Sequence, residues 1–174
     1  MFIIVNKNRE DIMKRYDFLF FVFLFFSFFV NAADIIQGPY RISNDTASVK
    51  IEKNDDINCP LSMVIYDKSS HYELDKICEN GDYPNLRSVF FFTLKGVNHI
   101  GTIVSWHNKH QAEGIDETNF EVKIYKKNAG GEYTVDKEKT LDPVLSGTED
   151  GAGDGTYKFN NAISVKKYMK ERYG

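Results

Sequence analysis

Past residue 46 the chain alternates apolar and polar residues with a period of two. Ala47, Val49 and Ile51 are interleaved with Ser48, Lys50 and Glu52, the pattern of a strand with one buried face. Asn54-Asp55-Asp56 and Asn58 end it with turn chemistry. Leu61–Tyr66 (LSMVIY) is the next strand. His71–Cys78 fits either a short helix, with Leu74, Ile77 and Cys78 on one face, or another strand. Ser88–Lys95 (SVFFFTLK) is apolar on both faces, Val89 and Phe91 on one and Phe90, Phe92 and Leu94 on the other. That predicts a central strand with layers above and below it. After a turn at Gly96-Val97-Asn98, His99–His107 sets Ile100, Thr102, Val104 and Trp106 on one side. His99, Gly101, Ser105 and His107 make the other side mostly polar, and the two runs form a hairpin.

Asn108–Thr118 reads as a polar loop. Phe120, Val122 and Ile124 then alternate with Glu121, Lys123 and Tyr125, the clearest amphipathic strand in the chain. Asn128-Ala129-Gly130-Gly131 supplies a tight connection, and Glu132–Lys139 returns as its partner with Tyr133 and Val135 inward. Thr148–Gly155 (TEDGAGDG) reads as loop and Thr156–Phe159 as a short strand. Asn160 or Asn161 caps a final helix, Ala162–Tyr173, whose apolar side is Ile163, Val165, Tyr168, Met169 and Tyr173. Ala33–Asp45, punctuated by Gly38-Pro39, is an irregular lead-in. The expected fold is α+β and β-dominated: a curved antiparallel sheet of about six strands with the C-terminal helix packed on it.

Ahead of this domain lies the most apolar stretch, Phe18–Val30 (FLFFVFLFFSFFV), in which only Ser27 is polar. As a helix it covers about 20 Å, short of the roughly 30 Å of a bilayer's hydrocarbon core. Lys14 and Arg15 precede it and Val30-Asn31-Ala32 follows, the three parts of a secretory signal peptide. Residues 1–32 are therefore expected to be a signal peptide cut after Ala32. Met13, followed by Lys-Arg-Tyr-Asp, is a more ordinary start for one than Met1, so translation is expected to begin there. A single exported domain, 33–174, remains, periplasmic or secreted, with no stable membrane anchor.

Those 142 residues hold 18 basic and 22 acidic side chains, a net charge near −4. Nucleic acid needs clustered positive charge, so it is excluded as a partner. Cys59 and Cys78 are the two cysteines, and an isolated pair in an oxidising compartment forms a disulfide. Neither CxxC spacing nor further ligands point to a redox or metal pair.

Candidate chemistry is thin. His107, His110 and Glu113 (HxxHxxE) would converge on one side of a helix, but their neighbours Gln111, Ala112 and Gly114 read as loop and no HExxH is present. The reading is a polar loop without metal. Asp150–Gly155 resembles a calcium loop, yet its third position is Ala152 and its twelfth Asn161, so two ligand positions fail. There is no GxSxG elbow and no phosphate-binding loop. No catalytic residue, cofactor or metal is assigned, and the chain is read as a non-enzyme.

What remains is surface. Nine tyrosines past residue 32, together with Trp106, provide amphipathic rings of the kind that anchor protein interfaces. The expected function is a non-enzymatic exported protein that binds another protein, in concrete form an immunity protein or inhibitor of an exported toxin. Asp116, Glu117, Glu149, Asp150 and Asp154, in two loops, would steer a basic partner, with Trp106 as an aromatic contact. The alternatives are a small exported hydrolase using the His107/His110 region, or an envelope-associated structural or small-ligand-binding protein.

Overall fold

The structure, a computed structural model, describes residues 35–43, 45–68, 70–152 and 155–174. The expected signal peptide, its cleavage site and the Met13 start lie outside the described residues. The first four strands are β1 (Ile35–Arg41), β2 (Ser48–Lys53), β3 (Leu61–Tyr66) and β4 (His71–Ile77), paired in that order. The second sheet holds β5 (Asn85–Leu94), β6 (Val97–His110), β7 (Ile115–Lys127) and β8 (Tyr133–Val135), with β9 (Gly147–Asp150) on the far half of β7. Every pairing is antiparallel. One turn of helix, α1 (Lys137–Thr140), follows β8, and α2 (Ala162–Tyr173) ends the chain.

The class is α+β and β-dominated, with the C-terminal helix on a sheet, as the pattern predicts. Among the described residues the strands number nine in two sheets rather than six in one. The first sheet lays Val49, Ile51, Met63 and Ile65 against Ile100, Val104, Trp106 and Tyr125 of the second, closing one core. The opposite face of the second sheet (Phe90, Ile103, Phe120, Val122 and Ile124) meets Leu145, Phe159, Val165 and Met169, closing the other. The described residues thus form three layers: sheet, sheet, helix.

This layering explains several departures from the sequence reading. β5 is apolar on both faces because both are covered, but it is the edge of its sheet rather than its centre. Layers and ladders are perpendicular directions, and a hydrophobic pattern reports only the first. The supposedly polar side of β6 is buried too: His99 and Ser105 are each 3% exposed. Gly101 is part of the reason, since the Phe90 ring lies where its Cβ would be. The lead-in forms β1, bulged around Gly38-Pro39, and the ambiguous His71–Cys78 segment is strand.

The run Glu132–Lys139 stays extended for only three residues. Past Asp136 the chain turns into α1, and the Thr140 hydroxyl both accepts from the Ile124 N–H and donates to its carbonyl, each at 3.0 Å. A side chain thereby takes the place of a strand, and Val135 is left 36% exposed. Thr156–Phe159 is irregular, ending in a turn, rather than strand, while Asn161 caps α2 by accepting from the Ser164 N–H at 3.0 Å.

Cys59 and Cys78 are bonded, joining the start of β3 to the end of β4, where Leu61 and Ile77 are already paired. The bond is consistent with an oxidising compartment. The indole N–H of Trp106 donates to the Cys78 carbonyl at 3.0 Å, so the chain's single tryptophan, 5% exposed, sits against the bridge. Closing a 19-residue separation stabilises the fold by about 3 kcal/mol in the chain-entropy model. Replacing both cysteines by serine should lower unfolding stability in urea by that amount, read from Trp106 fluorescence. An unchanged midpoint would show that the bridge only decorates a hairpin already held by its ladder.

Candidate functional site

β6 and β7 are longer than the strands around them. β5 pairs with β6 only out to Ser105, and β8 covers only Tyr125–Lys127 of β7. Beyond those limits β6 and β7 continue together for five more rungs, from Trp106↔Asn119 to His110↔Ile115. At about 3.3 Å per residue these rungs extend roughly 15 Å past Ser105, the inner ones packed and the outer two exposed. Gln111–Glu113 form a single 3-10 turn at its tip, closed by Gly114 at φ 69°. The expected polar loop 108–118 is therefore an arm, and every residue from Lys109 to Asp116 is exposed.

β9 lies along one side of this arm. It pairs Glu117 with Asp150, Thr118 with Glu149 and Asn119 with Thr148. The two acidic stretches picked out in sequence, about thirty residues apart, are brought together as neighbouring strands rather than as two loops. The Asp116 carbonyl accepts from the Gly151 N–H at 2.8 Å, and the Thr118 hydroxyl donates to the Gly151 carbonyl at 2.8 Å. Thr148 donates to the Asn119 side-chain oxygen at 2.6 Å.

Strand alternation sorts the arm's charges onto two faces. On one face Asp116 is neutralised: it bonds His107 Nε2 at 2.7 Å and receives Lys109 Nζ at 3.0 Å. Those contacts, His107 first and Lys109 next, hold its carboxyl below the usual carboxylate range. On the other face Glu117 and Asp150 stand opposite each other with no salt bridge among the described residues. Like charges directly opposite on a sheet repel, so this face carries an uncompensated negative field.

The remaining sequence candidates separate by burial. Glu149 is 5% exposed, and its carboxylate accepts the N–H groups of Gly155 at 3.3 Å and Thr156 at 3.0 Å and also that of Tyr157. It anchors the following turn from inside. Trp106 is buried at the base of the arm, and Asp154 lies outside the described residues. His107 and His110 are three apart on a strand, which puts them on opposite faces, and Glu113 is in the tip. No group of three or more His, Cys, Asp or Glu among the described residues could hold a metal ion. The chain matches no protein-family model, no curated protein and no solved structure.

One cluster left no trace in the sequence pattern. His99 is buried beneath Phe92, its ring stacked at 5.1 Å, with Nδ1 on the Val97 carbonyl at 2.9 Å and Nε2 facing Asp136 at 3.7 Å. Asp136, 1% exposed, receives Lys139 Nζ at 2.7 Å on one oxygen, while Lys126 Nζ lies 3.9 Å from the other, which has no hydrogen bond. Burial would raise the Asp136 carboxyl, but the Lys139 hydrogen bond and the charges of Lys139 and Lys126 outweigh it and lower it. Burial lowers the His99 imidazole against the opposing pull of the Val97 carbonyl and Asp136.

Both groups titrate lower in the folded than in the unfolded chain. The unfolded state therefore binds more protons, and stability falls on acidification. The His99 contribution is full above its unfolded value of about 6.5 and declines below it; the Asp136 contribution declines below about pH 4. The urea midpoint should drop between pH 7 and pH 5 and stay nearly level over that range in His99→Gln. Equal slopes in the two proteins would remove His99 from the account.

Proposed function

We propose that this is an exported, non-enzymatic protein that binds another protein and covers its working surface, the arm Trp106–Asn119 being the inserted element. The periplasm or the extracellular space is its place of action, and an exported toxin or hydrolase is the kind of partner it would neutralise. The observation that carries the reading is the arm. It is a regular two-stranded ribbon with a run of exposed residues, Lys109–Asp116, stiffened on one side by β9. A stiff projecting element loses little entropy on docking.

The unpaired acids Glu117 and Asp150, with Glu113 at the tip, suit a partner with a basic cleft, because opposite charge steers encounter. A second reading, a carrier of a small apolar ligand, rests on a groove of about 310 Å³ at the mouth of the sandwich, lined by Ile36, Ile51, Leu61, Tyr83 and Leu86. An apolar molecule co-purifying with the protein would favour it.

Affinity capture of the partner from native extracts comes first. With that partner in hand, the variant Glu113→Gln/Glu117→Gln/Asp150→Asn should associate about tenfold more slowly at low salt, with a flatter salt dependence and a nearly unchanged dissociation rate. An on-rate equal to that of the unmodified protein would exclude the arm as a steering surface. A full association effect without loss of the partner's activity on binding would exclude inhibition.

A further inference from the structure

A sheet edge is a row of unpaired N–H and C=O groups, and folded proteins guard such rows with charge, proline, bulges or brevity. Most of the edges here are guarded. β1 carries Pro39 and two register shifts, β4 carries Glu73, Asp75 and Lys76, and β8 and β9 are three and four residues long. β5 is different. After a single irregularity at Arg87 it runs straight from Ser88 to Leu94 (SVFFFTL), with neither charge nor proline.

The hairpin fixes which groups face outward. Lys95 (φ 48°) and Gly96 (φ 78°) make a two-residue turn between the paired residues Leu94 and Val97. In such a hairpin the residues flanking the turn exchange both bonds and every second residue does so after them. Leu94, Phe92, Phe90 and Ser88 thus bond β6, while Val89, Phe91 and Thr93 direct their N–H and C=O away from it. None of these outward groups is bonded by another segment among the described residues.

Cations frame this bare edge. Arg87 and Lys95 are exposed at its two ends, and Lys166 of α2 places its Nζ over the Phe90 ring at 5.8 Å. None of the three has a carboxylate partner among the described residues. A second copy pairing antiparallel along Ser88–Leu94 would set Arg87 against the other copy's Lys95 at both ends, so the charges argue against self-association. They match an acidic occupant instead.

We propose that the β5 edge is a strand-accepting site that takes an extended segment of another protein, an uncharged β-branched run of about seven residues with carboxylates at its ends. The main-chain bonds would come from Val89, Phe91 and Thr93, and Arg87 and Lys95 would set the register. The site acts whether or not the arm also meets a partner.

A fluorescein-labelled probe, Glu-Val-Thr-Val-Thr-Val-Thr-Val-Glu, N-methylated on alternate residues so that one edge alone can bond, tests this by anisotropy with the folded protein. The acid-ended probe should bind about tenfold more tightly than its lysine-ended counterpart. Thr93 is exposed and its N–H is not used by β6, so Thr93→Pro should weaken binding about tenfold and leave Trp106 emission unchanged. Should that variant misfold, Thr93→Glu, which keeps the backbone, should still repel the acid-ended probe. Absence of binding, equal affinity for the two probes, or indifference to both Thr93 variants would overturn the proposal. So would a dimer in sedimentation that Thr93→Pro dissolves, which would give the edge to a second copy.

Discussion

The three-layer arrangement depends on the buried hydroxyl of Tyr125. Tyr125 is 1% exposed, on the face of β7 turned toward the first sheet, and its hydroxyl donates to Asp75 of β4 at 2.6 Å. The same Asp75 oxygen receives Lys123 Nζ at 3.0 Å. Burial pushes the Tyr125 phenol well above its ordinary range, and the Asp75 charge adds to this, so it remains a donor at any physiological pH. A second clamp repeats the chemistry at the end of β7. Asp45 receives Lys127 at 2.6 Å and the Tyr133 hydroxyl at 3.0 Å, and burial, followed by Asp45, pushes that phenol well above its ordinary range. Two apolar sheets can slide against each other at little cost, whereas a hydrogen-bonded carboxylate across the gap has one geometry that satisfies it. β7 takes part in both clamps, and its other face, Phe120, Val122 and Ile124, meets the layer of α2.

Much of this was written in the alternation. Phe120, Val122 and Ile124 announced a strand with one buried face, and they form one. The period says that Glu121, Lys123 and Tyr125 share the other face, but not that this face is covered as well. A lysine and a tyrosine read as polar until an aspartate fifty residues away supplies their partner. The division into two sheets was illegible for a related reason: the link Cys78–Pro84 looks like any loop, and nothing local tells whether the next strand joins the same ladder. β5 was legible in burial and misread in position, because being covered above and below and being paired left and right are independent properties.

The candidate site was legible in composition and not in shape. The acids Asp116, Glu117 and Asp150 and the exposure of the segment around them could be read directly. Strand order could not, so two acidic stretches looked like separate loops when they are adjacent rungs. Glu149 and Asp150 are neighbours in sequence with opposite fates, one buried under a turn and one at the surface, and period two decides between them only once the segment is known to be a strand. The His99–Asp136 contact joins a strand start to the entrance of a helical turn and corresponds to no motif.

A two-stranded ribbon is marginal in water by itself, so an arm that keeps its shape needs support outside its own ladder. At its base Trp106 fills the inter-sheet core and holds the Cys78 carbonyl, tying the arm to the disulfide-bridged corner. Along its side β9 makes a third strand, with bonds from Thr118 and Thr148 filling the gaps of the ladder. β9 in turn is a four-residue strand with no other neighbour among the described residues, and what fixes it is Glu149, whose buried carboxylate gathers three successive backbone N–H groups of the following segment. A carboxylate satisfied by main-chain donors is among the stronger fixed points a small domain can build. The inward acid thus holds in place the strand that presents the outward one, Asp150, and the exposed negative face of the arm is stiff because a neighbouring negative charge is buried and fully bonded.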